Sequence, residues 1–69
     1  MKIGARNRLE GKVTDIKHGG VMAQVKVQLA GGGEMESVMT IDSLKDMGLK
    51  VGDTVRVAVK AVNVLLLKE

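Results

Sequence analysis

Val21-Met22-Ala23-Gln24-Val25-Lys26-Val27-Gln28-Leu29 is the stretch on which the fold turns. Val21, Ala23, Val25, Val27 and Leu29 are apolar, and Met22, Gln24, Lys26 and Gln28 alternate with them. A period of two sends alternate side chains to opposite faces of a pleated chain, so this pattern predicts a half-buried strand. Immediately upstream, Leu9, Gly11 and Val13 against Glu10, Lys12 and Thr14 carry a weaker alternation that continues to about Ile16. His18-Gly19-Gly20 lies between the two runs. So short a glycine-bearing connection predicts a β-hairpin.

Downstream, Ala30-Gly31-Gly32-Gly33 supplies a second turn, leading into Glu34 to Met39 with Met35, Ser37 and Met39 on one face. A second hairpin is expected. From Thr40 the period changes: Ile41, Leu44 and Met47 recur every third residue, which marks one face of a short helix of about two turns. Thr40 can cap its first turn, Asp42 suits the positive end of its dipole, and Gly48-Leu49 reads as a left-handed stop with an apolar clasp to Leu44. After the turn Lys50-Val51-Gly52-Asp53, Val55, Val57 and Val59 alternate with Thr54, Arg56, Ala58 and Lys60 as a fourth strand. Val62 to Leu67 predicts a fifth, with Val62, Val64 and Leu66 on one face and Leu65 and Leu67 on the other. A strand apolar on both faces needs cover from two sides, which makes this one the expected subunit contact. The expected fold class is all-β: a small five-stranded OB-like barrel, partly open and antiparallel, with one short helix between strands 3 and 4. No internal repeat or linker divides the chain.

Composition narrows the possible chemistry. The 69 residues are 45% hydrophobic yet include no Phe, Trp, Tyr, Cys or Pro. A domain of this size buries only about 60% of the surface its unfolded chain exposes, and aliphatic side chains must supply all of it. Disulfides are impossible, and a structural zinc site is nearly excluded because His18 is the single histidine. Self-association is the remaining means of stabilisation. Eleven Lys and Arg against eight Asp and Glu leave a net charge of +3. Nucleic acid or a small anion is therefore conceivable, but the cations are dispersed and no aromatic ring exists for bases to stack on. No apolar run is long enough to span a bilayer, and Met-Lys-Ile-Gly-Ala-Arg lacks the apolar segment of a secretory signal. A cytoplasmic protein without a membrane partner is expected.

Enzyme constellations are missing: there is no cysteine nucleophile, no HExxH and no Gly-x-Ser-x-Gly pattern, and Glu34 and Glu36 share a solvent face. A non-enzyme is expected. Gly31-Gly32-Gly33 lacks the Lys-Ser/Thr of a phosphate-binding loop and reads as a turn. Gly4-Ala5-Arg6-Asn7 is more informative, since small residues let backbone N–H groups approach a ligand and Arg6 adds a forked cation. Lys60-Ala61 offers a second cation beside a small residue, and Thr40 a hydroxyl at a helix start. Each also has a structural reading: Arg6 on the surface, Lys60 on a solvated strand face, Thr40 as a cap.

The ordered set of these landmarks resembles the molbindins, small cytoplasmic molybdate-binding proteins built from one Mop or TOBE-type domain. Ala5-Arg6-Asn7 followed by Leu9-x-Gly11-x-Val13 is similar to the family's Ser-Ala-Arg-Asn-x-Leu-x-Gly opening. Gly31-Gly32-Gly33, Met47-Gly48-Leu49-x-x-Gly52 and Lys60-Ala61-x-x-Val64 match later landmarks in order and spacing. The resemblance covers nearly the whole chain and implies one Mop/TOBE-like domain over residues 1–69. It further implies an OB-like barrel assembled as a homohexamer, a trimer of dimers, that holds molybdate or tungstate at subunit interfaces for molybdenum storage or homeostasis. By resemblance, the oxyanion-binding positions are Gly4, Ala5, Arg6, Thr40, Lys60 and Ala61. Gly4 stands where the family usually has Ser, and losing that hydroxyl bond to a charged ligand costs roughly 1.5–3 kcal/mol unless water substitutes. Two alternatives remain open at this level: an OB-type nucleic-acid-binding module, suggested by charge and fold, and a non-binding assembly domain, suggested by Gly4.

Overall fold

A computed structural model describes residues 7–69 of the chain. Gly4, Ala5 and Arg6 therefore lie outside the described residues. Four strands and two short helices follow one another: β1 Asn7–His18, β2 Met22–Leu29, β3 Glu34–Thr40, α1 Ile41–Met47, β4 Thr54–Val59 and the 3-10 turn Ala61–Asn63. The strands form one antiparallel sheet in the order β3-β2-β1-β4.

The sheet curls because β1 serves two partners. Asn7 to Lys12 run along β4 from Val59 back to Thr54, while Gly11 to His18 run along β2 from Leu29 back to Ala23. Between Val13, opposite Val27, and Asp15, opposite Lys26, one extra residue enters β1. Such a bulge bends a strand and sharpens its twist. Val13 sits at the bend, exchanging backbone hydrogen bonds with the β4 approach: its N–H donates to the Asp53 carbonyl at 2.9 Å, and its carbonyl accepts from Gly52 N–H at 2.8 Å.

The alternation of β2 is realised as expected, with Ala23, Val25 and Val27 buried and Lys26 half-exposed on the other face. Val21 falls outside the strand and is exposed; its carbonyl instead accepts from Ile41 N–H at 2.8 Å and ties the first hairpin to the helix. The second hairpin closes through Gly32 and Gly33, at φ 99° and 91°, values that only glycine adopts readily. Leu29 N–H donates to the Gly33 carbonyl there. Helix α1 has the expected ends. The Thr40 hydroxyl accepts from Ser43 N–H at its start, and Gly48 at φ 64° turns the chain at its end. Leu44 is its buried residue and completes a core of Val13, Ala23, Val25, Val27 and Leu44.

The expected fifth strand does not form among the described residues. Ala61–Asn63 make a 3-10 turn, Val64 is extended, and Leu65, Leu66 and Leu67 are 87%, 90% and 97% exposed. The reason is topological. The chain reverses just after β4, with Asn63 N–H bonded to the Lys60 carbonyl and Val64 N–H to the Ala61 carbonyl, and the residues beyond pair with no described strand. Among the described residues the architecture is thus mostly β: a curled four-stranded sheet with one helix. No helix among the described residues is long and apolar enough to cross a membrane.

Candidate functional site

Lys60 and Ala61 follow directly on β4, whose last residue, Val59, pairs with Asn7 at the start of β1. Arg6 is covalently next to Asn7, and Lys60 is covalently next to Val59. The β1/β4 ladder therefore brings the chain neighbours of both sequence-derived cations into register. Lys60 is extended at φ −65° and ψ 136°, exposed, and forms no ion pair with a described residue. Its ammonium is thus available to an anion, at little desolvation cost to the free protein.

The neighbouring surface is basic beyond what the motif alone suggests. On β4, Thr54, Arg56 and Ala58 point outward while Val55, Val57 and Val59 are half-buried, and Arg8, Glu10 and Lys12 face them across the ladder. Arg8, Leu9, Glu10 and Arg56 line a shallow depression of about 200 Å³. Arg8 and Arg56 escaped the sequence reading. Their signal was parity: Arg56 lies an even number of residues before Lys60, so a continuous strand puts both on one face.

Thr40 is placed elsewhere. It closes β3 opposite Met22, at the end of the sheet where β1 finishes at His18, opposite Ala23. Lys60 belongs to the other end of β1. Within one chain the sheet therefore does not bring Thr40 to Lys60. The Thr40 hydroxyl already has two roles, accepting from Ser43 N–H at 3.1 Å and donating to the Ser43 hydroxyl at 2.9 Å. An anion at Thr40 would compete only for the second, because the capping bond uses the oxygen and leaves the proton free to turn. Ser43, exposed and beside it, is a further hydroxyl the sequence reading passed over; its position at N3 of a Thr-capped helix was the available clue.

The outer face of β2 and β3 mixes charges of both signs. Gln24 donates to Glu36 across β2 and β3, and Lys26 lies 3.9 Å from Glu34. With Asp15 and Lys17 these groups form a mixed, solvated face. Among the described residues no group of three or more His, Asp or Glu is arranged to hold a metal ion.

A known domain family, TOBE, matches residues 4–66. Molybdenum-pterin-binding protein 3 of Clostridium pasteurianum is 40% identical over 67 residues, covering 97% of this chain and 98% of that protein. The chain belongs to the molbindin family of TOBE-domain proteins. A solved molybdate-binding protein from Sporomusa ovata superposes on this TOBE domain with a TM-score of 0.91 at 43% identity, covering 99% of this chain and all of that one. The cytoplasmic molybdate-binding protein ModG, solved with molybdate bound, gives a TM-score of 0.82 at 38% identity over 88% of this chain and 43% of its own. The family is one of binding proteins rather than enzymes.

Proposed function

We propose that this TOBE domain, one domain over residues 1–69, binds molybdate or tungstate between the subunits of a cytoplasmic homohexamer, a trimer of dimers, and serves molybdenum storage or homeostasis. The observation that carries this reading is the near-full-length likeness to a solved molybdate-binding protein. The oxyanion is held by Gly4, Ala5, Arg6, Thr40, Lys60 and Ala61. A tetrahedral dianion is satisfied by several fixed N–H and O–H donors with one or two cations, and needs no redox-active side chain. The exposed, unpaired Lys60 and the register that aligns the neighbours of Arg6 and Lys60 support this assignment. Thr40, at the far end of β1, is then contributed by another subunit, so the site is complete only in the assembly. Assembly also supplies the fifth strand that turns the curled sheet into a closed OB-like barrel.

Calorimetric titration with molybdate, tungstate and sulfate, together with native mass spectrometry, tests the proposal. Saturable binding of molybdate or tungstate by an oligomer is expected; a monomer that ignores all three ions overturns it. Lys60→Ala should weaken oxyanion binding by about ten- to a hundredfold with the circular dichroism spectrum unchanged. Intact oligomers without oxyanion affinity would favour the non-binding assembly domain. Binding of single-stranded oligonucleotides that falls steeply with added salt would favour the nucleic-acid module.

A further inference from the structure

The outer face of the β1/β4 ladder holds the excess charge of the chain. Arg8, Glu10 and Lys12 of β1 are exposed there, opposite Ala58, Arg56 and Thr54 of β4, and the exposed Lys60 follows just beyond the end of β4. Four cations against one carboxylate leave this face at +3, which is the net charge of the entire chain, so the charged residues elsewhere cancel. On the outer face of β2 and β3 the charges are answered locally, with Lys26 3.9 Å from Glu34 and Gln24 donating to Glu36. The β1/β4 face lacks that compensation. Glu10 is the ladder partner of Arg56, yet Arg56 makes no ion pair with it, and Lys12 and Lys60 make none with any described residue. Like charges gathered on one face repel, and a ligand that brings several anionic groups relieves the repulsion.

The register also sets the spacing. Arg56 lies opposite Glu10, so Arg8, Arg56 and Lys12 occupy every second rung of the ladder and alternate between its two strands, and Lys60 extends the series at the Arg8 end. At about 3.4 Å per residue, every second rung recurs at about 6.8 Å, the repeat of side chains on one face of an extended peptide. The surface is shaped for such a ligand. Two shallow depressions meet at Glu10, one of about 200 Å³ lined by Arg8 and Arg56, the other of about 280 Å³ lined by Lys12 and Thr54. Together they make an open trough along β1, long enough for four or five extended residues and too shallow to enclose a small molecule. Nucleic acid fits less well: the face has no aromatic ring for a base, and Glu10 stands within the row where an unbroken phosphate chain meets it. A peptide can meet Glu10 with an N–H or a hydroxyl instead. From charge, spacing and shape we infer that the outer face of β1 and β4 docks an extended acidic segment of a partner protein, whose Asp or Glu side chains at alternate positions are received by Arg8, Arg56 and Lys12. The surface shares only Lys60 with the oxyanion site proposed above and does not depend on a bound ion.

Fluorescence anisotropy with a labelled peptide of alternating Glu and Ser tests this on the ion-free, full-length protein. At about 0.15 M salt the Debye length is about 8 Å, so charges remote from the face contribute little. Saturable binding by the wild-type chain is expected. The double variant Arg56→Gln with Lys12→Gln should weaken it about five- to thirtyfold, since two ion pairs are lost. Lys45→Gln with Lys50→Gln removes the same charge from exposed positions elsewhere and should stay within about twofold of wild type. No binding by the wild-type chain, or equal losses in the two double variants, overturns the inference. A peptide of alternating Lys and Ser should not bind; equal binding of it overturns the inference without recourse to any variant. An oligothymidylate of matched charge that binds more tightly than the acidic peptide assigns the face to nucleic acid and overturns it too. Molybdate titration of the wild-type chain separates the two proposals: molybdate binding without peptide docking removes this inference alone, and peptide docking without molybdate binding removes only the oxyanion reading.

Discussion

Gly11 shows how one residue permits the fold. It pairs with Leu29 on one side and Val55 on the other, and a Cβ built on it would overlap the Val27 Cγ1 atom and lie 2.9 Å from the Gln28 carbonyl oxygen. A backbone atom cannot yield as a flexible side chain can, so Gly11→Ala should destabilise the domain by about 1–3 kcal/mol. Each kcal/mol lowers the melting temperature of so small a domain by roughly 4–8 °C. Gly20→Ala is the control, since nothing lies within 4 Å of that position and its φ is ordinary; thermal melts should leave it close to wild type. Thr40 separates structure from binding at the same scale. Asp caps a helix as well as Thr does, so Thr40→Asp should keep α1 and the thermal stability. It also places a carboxylate where the proposal places a dianion, so molybdate titration should show binding lost or reduced by at least about a hundredfold. A variant that melts like wild type and still binds would remove Thr40 from the site.

At the scale of elements, α1 is held by packing rather than by its own hydrogen bonds. Its seven residues are too few for an isolated helix to persist in water. Leu44, 5% exposed, is the residue that anchors it in the core, where the helix packs on β2 and β3. Leu44→Ala should cost about 2–5 kcal/mol, lowering the urea midpoint and reducing helical ellipticity. The element that the sequence pattern misjudged is Val62 to Leu67. Alternation and apolar character are properties of a strand's side chains, but a strand exists only where a backbone edge is free to pair with it. After the turn at Ala61–Asn63 the tail pairs with no edge among the described residues.

For the molecule as a whole, the core is too small for the apolar content. Among the described residues five apolar side chains are buried, whereas eleven large ones are exposed, five of them being Val62 and Val64 to Leu67. Contiguous apolar surface of this kind marks an interaction site. Charge opposes association, since every copy carries +3, and a dianion bound between copies offsets that repulsion. Ligand and assembly should therefore stabilise each other. At a free molybdate concentration one hundred times the dissociation constant, about 2.7 kcal/mol of added stability per site is expected, seen as a melting temperature that climbs with molybdate and with protein concentration. A melting temperature indifferent to both is the contrary result.

Local pattern determined a great deal by itself. The period-two runs around Val13 and Val25, the glycine turns, the Thr40 cap and the Gly48 stop each depend on residues within a few positions of one another, where backbone sterics and hydrogen bonding act directly. The cations Arg6 and Lys60 were legible as candidate ligands for the same reason, as was the lack of ring, thiol and second histidine. Tertiary structure alone decided how β1 divides between β2 and β4, that Gly11 is a contact rather than a gap, that Arg8 and Arg56 share a face, and that Thr40 and Lys60 lie at opposite ends of β1. It also left Val64 to Leu67 without a strand partner among the described residues. These outcomes depend on a bulge and on register between strands distant in sequence, and no local spacing encodes which backbone edge a distant segment will meet.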